Sequence, residues 1–164
     1  MRKLPKETEH WCDADAEKTL HSIFSPSFGA PSISRLDRIC RRHGLRLLAL
    51  FGSQCSGTAH SESDVDIGIL PEPRRRPNLD ALYVDLVPVL GREELDIVDL
   101  RTAPPVLRAV IVRDGVVLWA RSAEEWLQFA NRAVYDFDDE LPTVRFRQDR
   151  LDRVLSRRTA HETA

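Results

Sequence analysis

The sequence predicts an α+β domain, and two observations carry the prediction. Four short apolar runs lie at 45–51, 65–70, 95–100 and 116–119. Runs of this length bounded by turn residues are read as strands, because they are too short and too apolar for surface helices. The stretches between them place apolar residues three and four apart, the spacing of helices with one buried face.

The elements follow in order. Ile33, Leu36, Ile39 and Cys40 form the stripe of a helix over about 33–43, with Ser32 as a candidate N-cap and Gly44 at the C′ position. The run 45–51 is a buried strand. A second strand over 65–70 is expected to stop at Pro71. The loop that follows holds Arg74, Arg75 and Arg76, read as a solvated run, with a contact to a triphosphate or an acidic partner as the sharper alternative. Asn78 can cap a helix whose stripe is Leu79, Leu82, Tyr83, Leu86, Val89 and Leu90; Pro88 falls near its end and Gly91 closes it. The third strand carries Asp96 and Asp99. Pro104-Pro105 opens a helix with Val106, Leu107, Val110 and Ile111 expected to face inward, and Asp114-Gly115 turns into the fourth strand. Ser122 with Glu125 reads as a capping box for a helix carrying Trp126, Phe129, Ala130, Ala133, Val134 and Phe137. After Pro142 a separate, Arg-rich last helix is expected, with only Val144, Leu151, Val154 and Leu155 as apolar positions.

Three segments result. Residues 1–31 are polar, end in breaker residues and read as an appendage with a short helix over 13–24. Residues 32–120 form the main domain, and 121–164 a C-terminal helical extension. At 164 residues the chain fits one domain with helical additions. No apolar run approaches the ~20 residues that span a bilayer, and the charged start has no apolar core of a secretory signal. Cys12, Cys40 and Cys55 are few and widely spaced, which fits a reducing cytoplasm and neither a disulfide framework nor a zinc site. A net charge of −2 argues against coating nucleic acid through bulk charge.

The chemistry concentrates in 52–66. Gly52-Ser53 ends the first strand, and ten residues later comes Asp64-Val65-Asp66. Carboxylates two apart on a strand share a face, and paired hard oxygen donors suit Mg²⁺. The Gly-Ser turn can offer N–H groups and a hydroxyl to phosphate oxygens. Together they point to metal-assisted chemistry on a nucleoside triphosphate. A third carboxylate on a neighbouring strand would complete the site. Asp96 and Asp99 compete for that role: they are three apart and so face opposite ways, and periodicity does not choose between them. His60 reads as an exposed loop residue, Cys55 as a small packed apolar residue, and Trp119 and Trp126 as core.

The order strand, Gly-Ser turn, loop, Asp-x-Asp strand, helix and strand with another Asp resembles the nucleotidyltransferase superfamily that includes DNA polymerase beta. Within it, the small size and the ten-residue spacing resemble the minimal nucleotidyltransferases of HEPN–MNT toxin–antitoxin pairs. The likeness runs over roughly 32–120 and includes Leu95-Asp96-Ile97-Val98-Asp99-Leu100 and the Asp114-Gly115 turn. It implies a mixed, twisted sheet flanked by helices, with C-terminal helices. It implies that Asp64, Asp66 and Asp96 hold two Mg²⁺ ions, and that Gly52, Ser53 and Ser63 bind the nucleotide. The implied reaction moves AMP from ATP to a tyrosine of a cognate HEPN RNase toxin and releases pyrophosphate. The expected assembly is a hetero-oligomer with that toxin, with no direct nucleic-acid or membrane partner. Two alternatives stand beside it: an antitoxin acting by binding alone, and a nucleotidyltransferase for a small molecule of the antibiotic type. One departure is plain. Relatives commonly place Ala-Arg-Gly where this chain has Cys55-Ser56-Gly57, so Ser56 replaces a planar cation.

Overall fold

The computed structural model describes Cys12, Ala16, residues 33–56 and residues 64–162; side chains are described as far as Thr143, except those of Gln54 and Ser56. The elements are α1 (Ile33–Arg42), β1 (Leu45–Phe51), a single turn α2 (Ser53–Ser56), β2 (Val65–Pro71), α3 (Leu79–Leu90), β3 (Leu95–Asp99), α4 (Pro105–Asp114), β4 (Val116–Ala120) and α5 (Ala123–Glu162). The four strands form one sheet in the order β3-β2-β1-β4. β1 runs antiparallel to β2 and β4, whereas β2 and β3 are parallel. The sheet is therefore mixed, and its parallel pair is joined by α3, as a crossover requires.

Local chemistry fixes the joints. Gly44 follows α1 with φ +63, a left-handed conformation that costs glycine little. The Asn78 side chain accepts from the Ala81 N–H at 3.1 Å and so caps α3. Gly91 closes that helix at φ 64, its N–H donating to the Val87 carbonyl.

The strand alternation divides the core between the two faces of the sheet. On one side, Leu48 and Leu50 of β1 and Val65, Ile67 and Ile69 of β2 meet Leu36 and Ile39 of α1 and Leu82 and Leu86 of α3. On the other, Leu47, Ala49 and Phe51 meet Ile111 of α4 and Trp126 and Phe129 of α5. Each large aliphatic side chain buried in this way contributes about 1.5–3 kcal/mol. Trp119 is fully buried, and its indole N–H donates to Asp37 Oδ1 at 2.9 Å. Without that acceptor, an orphaned donor would cost about 1–3 kcal/mol.

Several expectations change. Pro142 does not end a helix: α5 is one helix of 40 residues with the proline inside it. Proline removes one backbone bond, but no glycine or asparagine follows it to turn the chain. Val106, Leu79 and Val134 do not face inward; they are 40%, 41% and 46% exposed. On α4 the covering pair is Leu107 and Ile111, one turn apart; on α5 Ala133 takes the inward place beside Val134. The capping box closes on one side only. Ser122 Oγ accepts from the Glu125 N–H at 3.3 Å, but the Glu125 carboxylate accepts from Arg46 Nε at 2.7 Å, tying α5 to the start of β1. Pro71 pairs with Leu45 as the last strand residue instead of stopping the strand before it. Ser32 and the helix expected over 13–24 lie outside the described residues, apart from Ala16. That residue is helical and buried, and with Cys12 it packs on the α1/α3 side of the sheet.

Gly68 offers a direct test of the second core. A Cβ there would stand 2.9 Å from Leu100 Cδ2, a side chain that is itself 1% exposed. Gly68→Ala is expected to lower stability by about 1–3 kcal/mol, read as a fall in Tm. An unchanged Tm would contradict this packing.

Candidate active site

β1 delivers the turn, and β2 and β3 deliver the carboxylates. Register pairs Phe51 with Asp66 across β1 and β2, and Asp66 with Asp96 across β2 and β3. The turn after Phe51 therefore lies beside Asp66. Gly52 adopts φ +76, and a Cβ on it would stand 2.0 Å from Asp66 Oδ2. Both the backbone angle and the carboxylate exclude a side chain at this position. The turn continues into α2, where the Cys55 N–H donates to the Gly52 carbonyl at 3.1 Å. Ser53 is half-buried at the head of this turn.

Asp96 and Asp99 lie on opposite faces of β3. On β3, Leu95 and Ile97 pack on the α1/α3 side, whereas Val98 and the following Leu100 pack on the α4/α5 side. On β2, Ile67 and Ile69 take the first side and Leu70 the second. Strand alternation thus places Asp64, Asp66 and Asp96 on one face. Asp99 lies three positions further along β3, paired in register with Ile69. Its carboxylate is engaged by Arg101, with Nη2 at 2.6 Å from Oδ2 and Nε at 3.0 Å from Oδ1. Burial raises the Asp99 pKa, but the Arg101 guanidinium and backbone N–H outweigh it and hold the carboxyl below the usual range.

Asp66 shows the opposite electrostatics. Burial pushes its carboxyl above the ordinary range, and the like charges of Asp96 and then Asp64 add to the shift. Asp64 and Asp96 are exposed and Asp66 is half-buried, so the arrangement is open to solvent. Among the described residues no three carboxylate, imidazole or thiol groups converge into a closed ligand cluster. The donor set nevertheless fits a hard divalent cation that keeps several waters: carboxylate oxygens alone, on one face, with mutual repulsion that such a charge would offset.

Other residues singled out in the sequence fall elsewhere. Cys55 is half-buried, its Sγ donates to the Leu50 carbonyl at 3.4 Å, and burial raises its pKa, as suits a packed thiol. The Arg74–Arg76 run is exposed at the other end of the strands, where Arg75 lies over Gly44 and donates to the Arg42 carbonyl at 2.8 Å. An open groove of about 690 Å³ at that end, lined by Arg46, Glu72, Arg74 and Arg121, is likewise remote from the aspartates. Ser63, Gly57 and His60 lie outside the described residues, and of Ser56 only the backbone, in α2, is described. One contact had no signal in the sequence: the Val65 N–H donates to the Glu94 carbonyl at 2.9 Å, pinning the entry of β2 beside β3. Among the described residues, no helix is long and apolar enough to cross a membrane.

A mixed sheet with a glycine turn set against strand aspartates is the architecture of a nucleotidyltransferase. The chain belongs to the family described as Polymerase beta, Nucleotidyltransferase, which it matches over residues 35–124. It is 36% identical over 88 residues to the protein adenylyltransferase MntA of Shewanella oneidensis, a match covering 51% of this chain and 60% of that relative. It is 25% identical over 124 residues to the MntA of Aphanizomenon flos-aquae, covering 69% of this chain and 82% of the relative. Among solved structures, it is similar to a toxin–antitoxin crystallised with AMP-PNP, with a TM-score of 0.58 and 30% identity over 76% of this chain and 98% of that one. It is also similar to a complex of tri-AMPylated Shewanella oneidensis HEPN toxin with MNT antitoxin, with a TM-score of 0.54 and 27% identity over 75% and 95% of the two chains.

The Asp66 shift has a measurable sign. Its folded-state pKa lies above the unfolded value, so ionisation costs stability as pH rises through that window, and the cost is complete above the folded pKa. Asp66→Asn is therefore expected to raise Tm at pH 7 in a buffer without divalent ions, and the gain is expected to shrink as pH falls through the carboxylate range. A variant less stable than the parent at pH 7 would contradict the electrostatic reading.

Proposed function

We propose that this chain is a cytoplasmic antitoxin that transfers AMP from ATP to a tyrosine of a cognate HEPN-domain RNase. The observation that carries the reading is the register of β2, which sets Asp66 between the Gly52 turn and Asp96. The similarity to a protein adenylyltransferase and to an MNT antitoxin in complex with an AMPylated HEPN toxin supports the same reaction.

In this reading Gly52 and Ser53 bind the β- and γ-phosphates, with backbone N–H groups as donors that glycine leaves uncovered, and Ser63 joins them. Asp64, Asp66 and Asp96 hold two Mg²⁺ ions, which when bound supply positive charge to the triphosphate and to the departing pyrophosphate. The tyrosine oxygen attacks the α-phosphorus. The bond from that phosphorus to the oxygen bridging towards the β-phosphate breaks, and pyrophosphate leaves with the electron pair. The exposed Asp96 carboxylate accepts the phenolic proton. Asp99 takes no part, because Arg101 already occupies its oxygens. The product carries a bulky anion on the RNase, which repels RNA phosphates by charge and by size.

Incubation with α-labelled ATP, Mg²⁺ and the product of the neighbouring gene, first checked for an HEPN domain, tests the proposal. Label is expected on a tyrosine of the partner, and Asp64→Asn with Asp66→Asn is expected to reduce transfer by about a hundredfold or more. No label with the parent chain would overturn it. Protection of cells by the doubly substituted chain would assign the antitoxin effect to binding alone.

A further inference from the structure

α1 carries a row of guanidinium groups beside the stripe that it buries. Arg35, Arg38 and Arg42 stand three and four residues apart, so they share one strip of the helix surface. At 1.5 Å per residue the row is roughly 10 Å long. It faces α3 across an open groove of about 300 Å³, the lower end of the range for small-ligand sites. Ile39 of α1 and Val89 of α3, both buried, lie at its base, and the exposed Pro88 stands beside them. The groove therefore joins a cationic wall to an apolar floor.

Its charges do not balance. Among the described residues Asp85 is the one carboxylate lining the groove, and it is already engaged. Arg42 Nη1 donates to its two oxygens at 2.9 and 3.2 Å, and His43 Nε2 lies 2.7 Å from Oδ2. Arg35 and Arg38 are exposed, and among the described residues neither has an ion-pair or hydrogen-bond partner. Two uncommitted guanidinium groups one helical turn apart can close on a single phosphate, whose oxygens accept several charge-assisted N–H bonds at once. The apolar floor beside them offers a flat ring a surface to leave water against.

The groove is separate from the aspartates. α1 and α3 cover one face of the sheet, and strand alternation turns Asp66 and Asp96 to the other. It still bears on them, because α3 is the connection between β2 and β3. We propose that the α1/α3 groove is a nucleotide site distinct from the aspartate face. It takes a nucleoside monophosphate, with the phosphate on Arg35 and Arg38 and the base against Ile39, Pro88 and Val89.

Equilibrium dialysis of labelled AMP against the full chain, in buffer with EDTA, tests this, with inorganic phosphate and adenosine as competitors. AMP is expected to saturate one site, with affinity falling as salt screens the arginines. Phosphate and adenosine are each expected to compete at least about tenfold more weakly than AMP itself, since each makes only half of the contacts. Arg35→Gln and Arg38→Gln are each expected to weaken AMP about tenfold while leaving the circular dichroism unchanged. Arg74→Gln removes the same charge from the loop after β2, outside the groove, and is expected to leave AMP affinity as it is. Absence of saturable binding overturns the proposal. So does parental affinity in Arg35→Gln and Arg38→Gln, an equal loss in Arg74→Gln, or phosphate that competes as well as AMP.

Discussion

Gly52 has no side chain, and the carboxylate of Asp66 fills the space that one would need. The rest of the site depends on this exclusion. It requires β1 to end where β2 begins, which the pairing of Phe51 with Asp66 provides. It requires the chain to turn with positive φ at that end, which glycine alone does without strain. It also holds the half-buried Asp66 against two like-charged neighbours, a placement that raises its pKa and works against the stability of the fold. The constraint is functional in character: the fold accepts an unfavourable charge where a cation and a triphosphate are proposed to sit.

The two-sided core is what keeps that placement fixed. Central strands β1 and β2 bury residues on both faces, so a slip of one residue in either would drive apolar side chains to the wrong side. α1 and α3 seal one face, α4 and α5 the other. Gly68 lets Leu100 approach the sheet closely on the same face as Asp66, and the Glu94 carbonyl anchors the N–H of Val65, between Asp64 and Asp66. Asp66 and Asp96 are thus held by backbone register, whereas Asp99 is drawn by Arg101 into a structural ion pair at the other end of the strand.

Much of this was legible in the sequence. The four strands and the helices around them follow from apolar spacing and from Gly44, Asn78 and Gly91, whose local chemistry is self-contained. The proximity of the Gly52 turn to Asp66 was legible as a motif. Strand period alone did not choose between Asp96 and Asp99, because Ile97 and Val98 are both apolar; the family resemblance favoured Asp96, and the parallel register sets that residue level with Asp66. Pro142 misled because a proline signals a missing hydrogen bond, and a long helix tolerates one when nothing nearby turns the chain. The outward positions of Val106 and Val134 depend on how far each helix is rotated over the sheet, a tertiary quantity that helical spacing alone leaves open.

In the proposed function one face of the β2–β3 pair holds the cation and the nucleotide, with Asp96 in the site and Asp99 outside it. Calorimetric titration of a non-hydrolysable ATP analogue with Mg²⁺ into the parent chain, Asp96→Asn and Asp99→Asn tests it most directly. Asp96→Asn is expected to lose Mg²⁺-dependent binding and Asp99→Asn to retain it. Retention by Asp96→Asn together with loss in a folded Asp99→Asn would contradict it.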